Sequence, residues 1–201
     1  MDNVTFVGPA IDDAETYERA PRELRALLVR NNGYIAFDGG LHVRGACRAP
    51  AWHSLREAWT SPRALHRLFH ALTPEDVPFA EDALGDQFIL REGVVKKLIA
   101  ETGRLSSLDC GLAEFLAATR ARPMEYLGLY PLAQFREEGG TLAPGELLSA
   151  DPPFSARNGT LPVTLRAMPA AERIHDLARL AARYAEEEEE RKRAATEERA
   201  E

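Results

Sequence analysis

The sequence predicts an α+β chain, on three observations. β-branched and aromatic runs are paired across turn residues, as in Tyr34-Ile35-Ala36-Phe37, Asp38-Gly39-Gly40 and Leu41-His42-Val43-Arg44. Apolar residues at helical spacing lie on both sides of these runs, at Leu24, Leu27 and Leu28 and again at Leu112, Phe115 and Leu116. Beyond Pro169, Ile174, Leu177, Ala181 and Tyr184 give a long C-terminal helix one apolar face.

Taken in order, a short polar helix is predicted near Asp12 to Glu18, capped close to Asp12. The next helix opens at Pro21, where proline is tolerated, and stops at Asn31-Asn32-Gly33. After the first hairpin, Trp52 to Leu72 reads as helix in two pieces, with Ser54 as a cap and Ser61-Pro62 opening the second. Val94 to Ile99 reads as a strand and Leu105 to Leu108 as its return. A helix follows near Asp109 and ends at Pro123. Residues 124–168 carry Gly139-Gly140, Pro144-Gly145 and Pro152-Pro153, which break them into irregular pieces. Within these, Gly145 to Leu148 and Leu161 to Leu165 are candidate short strands. The final helix runs into a charged tail with Glu187–Arg191, Glu188–Lys192 and Glu189–Arg193 at i, i+4. The predicted organisation is a core over 1–122, an irregular extension over 123–168 packed on that core, and the C-terminal helix over 169–201.

Composition narrows the function classes. The chain has 201 residues, 45% of them apolar, with a formal net charge of −7. That charge argues against nucleic acid as partner, since phosphate contacts need a basic face. No run approaches a membrane span. The opening residues lack a basic region followed by an apolar stretch, so the expectation is a cytoplasmic chain. Cys47 and Cys110 are read as free thiols.

The stretch VPFAEDALGDQFIL, residues 77–90, concentrates three acids: Glu81, Asp82 and Asp86. A calcium loop needs oxygens at alternate positions and a late glutamate, which this spacing does not supply. The preferred reading is a polar corner between strands, with Gly85 supplying an unusual backbone angle. His66 and His70 are four apart but lack the glutamate of the zinc-protease pattern and any evident third ligand. No nucleophile elbow, phosphate loop or C-x-x-C is present in the sequence, so no catalytic, metal or cofactor residue is assigned. Trp52 and Trp59, seven apart, would share a helix face as partner anchors.

Ala20-Pro21 through Asn31-Asn32-Gly33 resembles the "LP-x-x-h-x-x-h-L-x-x-x-N-G" opening of the SUKH superfamily, with Ala20 where that opening usually has leucine. Val77 to Phe88 resembles its "I-P-F-A-x-D-x-x-G-D-x-F". The strand at 94–98, the following T-G and the helix carrying Phe115-Leu116 keep the order. The resemblance covers about residues 17–120. It implies a mixed or antiparallel sheet packed against helices. It also implies a non-catalytic protein-binding role, most often as an immunity protein that neutralises a cognate bacterial toxin. Glu81, Asp82, Asp86, Trp52 and Trp59 are then the candidate contacts for a basic toxin. A regulatory scaffold without a toxin partner, and a metal-dependent enzyme using His66 and His70, are the alternatives.

Overall fold

The computed structural model describes residues 3–156 and 162–198. Its centre is a seven-stranded sheet whose spatial order follows the chain: β1 (Phe6–Val7), β2 (Tyr34–Ala36), β3 (Leu41–Val43), β4 (Val77–Asp82), β5 (Gln87–Arg91), β6 (Val94–Ile99) and β7 (Arg104–Ser107). Every neighbouring pair is antiparallel, so the fold is α+β with an antiparallel sheet. The helices are α1 (Ala14–Arg19), α2 (Arg22–Arg30), α3 (Leu55–Trp59), α4 (Leu112–Ala121), α5 (Pro123–Tyr126), α6 (Tyr130–Glu137) and α7 (Ala170–Glu198). A separate two-stranded sheet pairs β8 (Glu146–Asp151) with β9 (Thr164–Pro169). Among the described residues no helix is long and apolar enough to cross a membrane.

Strand alternation divides the sheet into two faces. On the first, Leu41, Val43, Phe79, Phe88, Leu90 and Val95 pack against Leu24 and Leu28 of α2 and Leu112 and Phe115 of α4. Phe115 meets the ring of Phe88 at 4.6 Å and that of Phe79 edge-on at 5.6 Å. On the second face, Ile89 and Leu98 pack against Phe69, Leu147 and the α7 residues Ile174, Leu177 and Ala181. The apolar face read from the sequence of α7 is therefore the one that docks. Both faces of the central strands are covered, and that makes the polar residues on the second face a site question.

Local signals account for most element ends. Asp13, one residue after the predicted cap, accepts from Thr16 N at 3.3 Å and from Thr16 Oγ1 at 2.6 Å. The same carboxylate takes two bonds from Arg56, at 2.5 and 2.6 Å, tying α1 to α3. Glu114 reaches back to Gly111 N at 2.9 Å at the start of α4. Pro78 interrupts the β4–β5 register, as a residue without an N–H does in an inner strand. On the C-terminal helix Glu188 pairs with Lys192 at 3.2 Å.

Two expectations are corrected. Residues 52–72 hold one turn of 3₁₀ helix at Ala51–His53, the five-residue α3, and a second 3₁₀ turn at Leu65–Arg67. The hydroxyl of Ser61 bonds Glu57 O at 2.8 Å and Pro62 follows, which ends α3. Leu65, Phe69 and Leu72 are then placed by packing against the sheet and not by helix propensity. The described residues of 123–168 also hold more regular structure than predicted. They contain α5, α6, and the β8–β9 pair, and Pro123 starts a helix as well as ending one. The predicted strand at 161–165 is β9, shifted to begin at Thr164; Leu161 lies outside the described residues.

Candidate functional site

The second face of β3, β4 and β5 carries a buried polar seam. Register places His42 opposite Glu81, and Glu81 opposite Gln87, so three in-line positions bring these side chains together. Arg44, two residues past His42, projects to the same side. Its guanidinium donates to Glu81 Oε2 at 2.6 Å, to Gln87 Oε1 at 2.8 Å and to the Pro78 carbonyl at 2.9 Å. Gln87 Nε2 donates in turn to Glu81 Oε2 at 3.1 Å and to Gly85 O at 2.7 Å.

A histidine chain leads away from the same carboxylate. His42 Nδ1 lies 2.9 Å from Glu81 Oε1, His42 Nε2 lies 2.9 Å from His53 Nδ1, and His53 Nε2 lies 2.9 Å from the Asn32 carbonyl. The backbone is drawn tight around this ring. A Cβ on Gly45 would stand 2.3 Å from Asn32 O and 2.7 Å from His53 Nε2. A Cβ on Gly33, which has φ +79°, would stand 2.5 Å from His53 Cε1. Glycine is therefore required at both positions by closeness, and at Gly33 by conformation as well.

The proton count of the chain is informative. It begins on a carboxylate and ends on a carbonyl, and both are acceptors. Three contacts need three protons, while two neutral imidazoles carry two. Burial opposes the third proton: it lowers the pKa of His42 against the pull of Glu81, and lowers that of His53 to about 4. Burial also pushes Glu81 up, but the charge of Arg44 and the bonds from His42 and Gln87 outweigh it, and the carboxyl is held well below its usual range.

The pH dependence follows with a definite sign. A histidine whose folded pKa lies below its unfolded value stabilises fully above the unfolded value. That stabilisation is lost as pH falls, because the unfolded chain takes the proton first. For His53 the window runs from 6.5 down to about 4. The stability advantage of the native chain over a His53→Gln variant is expected to shrink by about 3 kcal/mol across that window. Urea titrations of both chains at matched pH values check this. An advantage that stays constant or grows on acidification contradicts it.

The other two acids of the motif sit at the adjoining β4–β5 corner. Lys97 Nζ lies 3.0 Å from Asp82 Oδ2 and 3.0 Å from Asp86 Oδ2. Asp82 Oδ1 accepts from Leu84 N at 3.0 Å and Asp86 N at 3.1 Å, and Asp86 Oδ1 accepts from Ala100 N at 2.9 Å. Burial and the neighbouring Asp86 carboxylate push Asp82 up to about 7, against Lys97 and the Leu84 amide. Gly85, at φ +91°, closes the corner and leaves room for Leu177 of α7, whose Cδ1 would be 2.8 Å from an added Cβ.

The structure thus brings together the three acids read from the sequence, but inside the fold. Glu81 and Asp82 are each 2% exposed, so neither carboxylate is a surface contact, and that expectation is corrected: the charges are spent on Arg44 and Lys97. Trp52 and Trp59 do not share a helix face. Trp59, 4% exposed, donates to Pro74 O at 3.1 Å and lies under the Arg19 guanidinium at 4.6 Å. Trp52 is half-buried against the rings of Phe6, His42 and His53 at 4.9, 5.4 and 5.6 Å. His66 sits in a single 3₁₀ turn and His70 beyond it, so the helical spacing assumed for a ligand pair does not form. Among the described residues no group of three or more His, Cys, Asp or Glu side chains is placed to hold a metal ion. Cys47 and Cys110 are free, and burial pushes the Cys47 thiol up to about 11.

Sequence reasoning missed Arg44, His42 and His53 as partners of the motif. The available signal was that Leu41-His42-Val43-Arg44 alternates in phase with Glu81 and Gln87 across paired strands. Beside this seam, between Ala51–Ala58 and the first turns of α7, lies a pocket of about 160 Å³ with Arg44, Glu81, Trp52 and Ser54 in its wall. Comparison with known proteins adds no relative: no family model matches the chain, and neither a curated protein nor a solved structure matches it.

Proposed function

We propose that this chain is a non-catalytic protein-binding module, and that its role is to bind and neutralise a toxin in the manner of SUKH-type immunity proteins. The observation that carries the reading is the use made of the motif that resembles that superfamily. Each of its three acids is bonded to a base inside the sheet, Glu81 to Arg44 and both aspartates to Lys97. The motif serves as a joint of the scaffold, and recognition falls to the surface built on that scaffold. The net charge of −7 supports a basic partner through faster encounter. The exposed acids available for this include Glu186, Glu187, Glu189 and Glu190 of α7, while Glu81 and Asp82 of the motif are buried.

The test is co-expression of the chain with the product of the adjacent open reading frame. A toxic neighbour that co-purifies with the chain, and whose toxicity the chain suppresses, is the expected result. A toxic neighbour whose toxicity is unchanged by the chain removes the proposal, and a harmless neighbour that still co-purifies replaces it with a regulatory scaffold.

A further inference from the structure

We infer that His42 and His53 form an acid-operated lock on the N-terminal edge strand: one proton taken up between the two rings completes the bonded series from Glu81 to the Asn32 carbonyl and grips the segment that carries β1. The inference goes beyond the binding role proposed above and does not depend on it.

Geometry leaves the two-proton state one bond short, whichever tautomers are chosen. His42 Nδ1 keeps a proton for Glu81 Oε1 at 2.9 Å, because an ionised acceptor makes the stronger bond. His42 Nε2 is then an acceptor. A proton on His53 Nδ1 satisfies it at 2.9 Å, but turns the His53 Nε2 lone pair on the Asn32 oxygen at 2.9 Å. A proton on His53 Nε2 satisfies Asn32 and sets two nitrogen lone pairs against each other. The ring has no room to back away from either mismatch. His53 is 0% exposed, and added Cβ atoms on Gly8, Gly33 and Gly45 would stand 2.4, 2.5 and 2.7 Å from its ring atoms. Phe6 and Trp52 close on it with ring centroids at 4.9 and 5.6 Å. An imidazolium donates from both nitrogens, so one added proton makes all three bonds at the spacing the structure already has.

The contact this proton completes lies at the root of β1. Asn32 Nδ2 donates to Pro9 O at 2.9 Å, Gly8 N donates to Gly33 O at 2.9 Å, and Thr5 N donates to Ile35 O at 3.0 Å. β1 itself is two residues long, sits at the sheet edge and leaves Val7 59% exposed. Its attachment therefore depends on how firmly the Asn32–Gly33 segment is held, and His53 Nε2 is the group that meets the Asn32 carbonyl.

Charge sets the threshold. The ionisable groups facing the pair are Arg44 on β3, Glu81 on β4 and Glu146 on β8, which lines a small cavity with His42 and Glu81. Arg44 and Glu81 neutralise each other, and the half-buried Glu146 accepts from Ala143 N at 2.8 Å. Among the described residues no fully buried acid is left to balance the added proton, and burial lowers both histidines, His53 to about 4. Global stability falls on acidification because the unfolded chain binds the proton more tightly. In molecules that stay folded the same proton strengthens the hold on Asn32. The two effects have opposite signs and separate readouts.

The test uses the full chain labelled with ¹⁵N and follows the histidine rings from neutral pH down through about 4, assigned with His42→Gln and His53→Gln variants. The expected result is uptake of one proton by the pair, with His42 Nε2 and His53 Nδ1 shifting together at one midpoint. Hydrogen exchange supplies the second readout. Acidification is expected to raise the protection of the Gly8 amide, corrected for its intrinsic exchange rate, by roughly 2- to 10-fold, the value of one hydrogen bond. Protection in β5 and β6, which follows the sheet as a whole, is expected not to rise. In His53→Gln, whose amide donates at every pH, Gly8 protection is expected not to rise either. Uptake of two protons, a shift confined to one ring, or unfolding before any uptake overturns the shared proton. Gly8 protection that does not rise, or that rises equally in β5 and β6 or in His53→Gln, overturns the lock. Should His53→Gln fail to fold, the paired ring shifts and the contrast between Gly8 and β5–β6 decide both points in the native chain.

Discussion

Replacing Arg44 with methionine is expected to lower the stability of the chain by about 3–5 kcal/mol, the usual loss when one member of a buried ion pair is removed. Methionine preserves bulk and removes the guanidinium. Glu81 is then left at 2% exposure without its cation, and Gln87 Oε1 and the Pro78 carbonyl each lose a donor. For a chain of this size the thermal midpoint should fall by about 10 °C. The contrast with a surface pair is the point of the measurement, since exposed pairs contribute about 0–1 kcal/mol. A loss in that range, measured by urea unfolding, would mean that Arg44 and Glu81 are solvated and that the seam is not a structural unit.

Lys97→Met should be comparably damaging, and its damage should depend on pH. Lys97 is the shared cation of two carboxylates at 3.0 Å each. Without it, two acids face each other in a buried corner, and a loss of about 3–5 kcal/mol is expected at neutral pH and above. Asp82, already pushed up to about 7 from an ordinary 3.8, would rise further. An acid whose folded pKa is raised favours folding below its unfolded value, and that contribution is lost as pH rises through the folded value. The deficit of the variant relative to the native chain is therefore expected to be larger at pH 8 than at pH 5. Adding Asp82→Asn should recover most of it. A deficit that is the same at both pH values, or a double variant no better than Lys97→Met alone, contradicts this account of the corner.

Much of the scaffold was legible because the signals were local. The Asp38-Gly39-Gly40 turn, the β-branched run at Val94–Ile99 and the helix starts at Pro21 and Pro169 each follow from the residues on the spot. The corner at Gly85 was legible for the same reason. Residues 52–72 were misread because their conformation is set from a distance: Leu65, Phe69 and Leu72 are held by Ile89, Leu98 and the apolar face of α7. The seam was missed for a related reason. In an antiparallel strand, a polar residue alternating with apolar ones signals a solvent face only if nothing covers that face. Here the Ala51–His53 turn, the β8–β9 pair and α7 cover it, and no property of Leu41-His42-Val43-Arg44 announces them. The acids were conspicuous in the sequence because they are charged, and that same charge led to their being read as surface. Their partners, Arg44 and Lys97, lie on other strands and become visible only once the register is known.

The central claim is that the acids of the 77–90 motif bind the sheet to itself and leave recognition to the surface. A double-mutant cycle on Arg44 and Glu81 tests it most directly. Arg44→Met and Glu81→Met are each expected to be strongly destabilising, because each strands a buried charged partner. The double variant is expected to be about as unstable as either single variant and well short of their sum, because no charge is then stranded, while His42 Nδ1, Gln87 and the Pro78 carbonyl still lack partners. Additive losses, with the double variant as unstable as the sum of the two single ones, would show that the two residues act independently and would contradict the account.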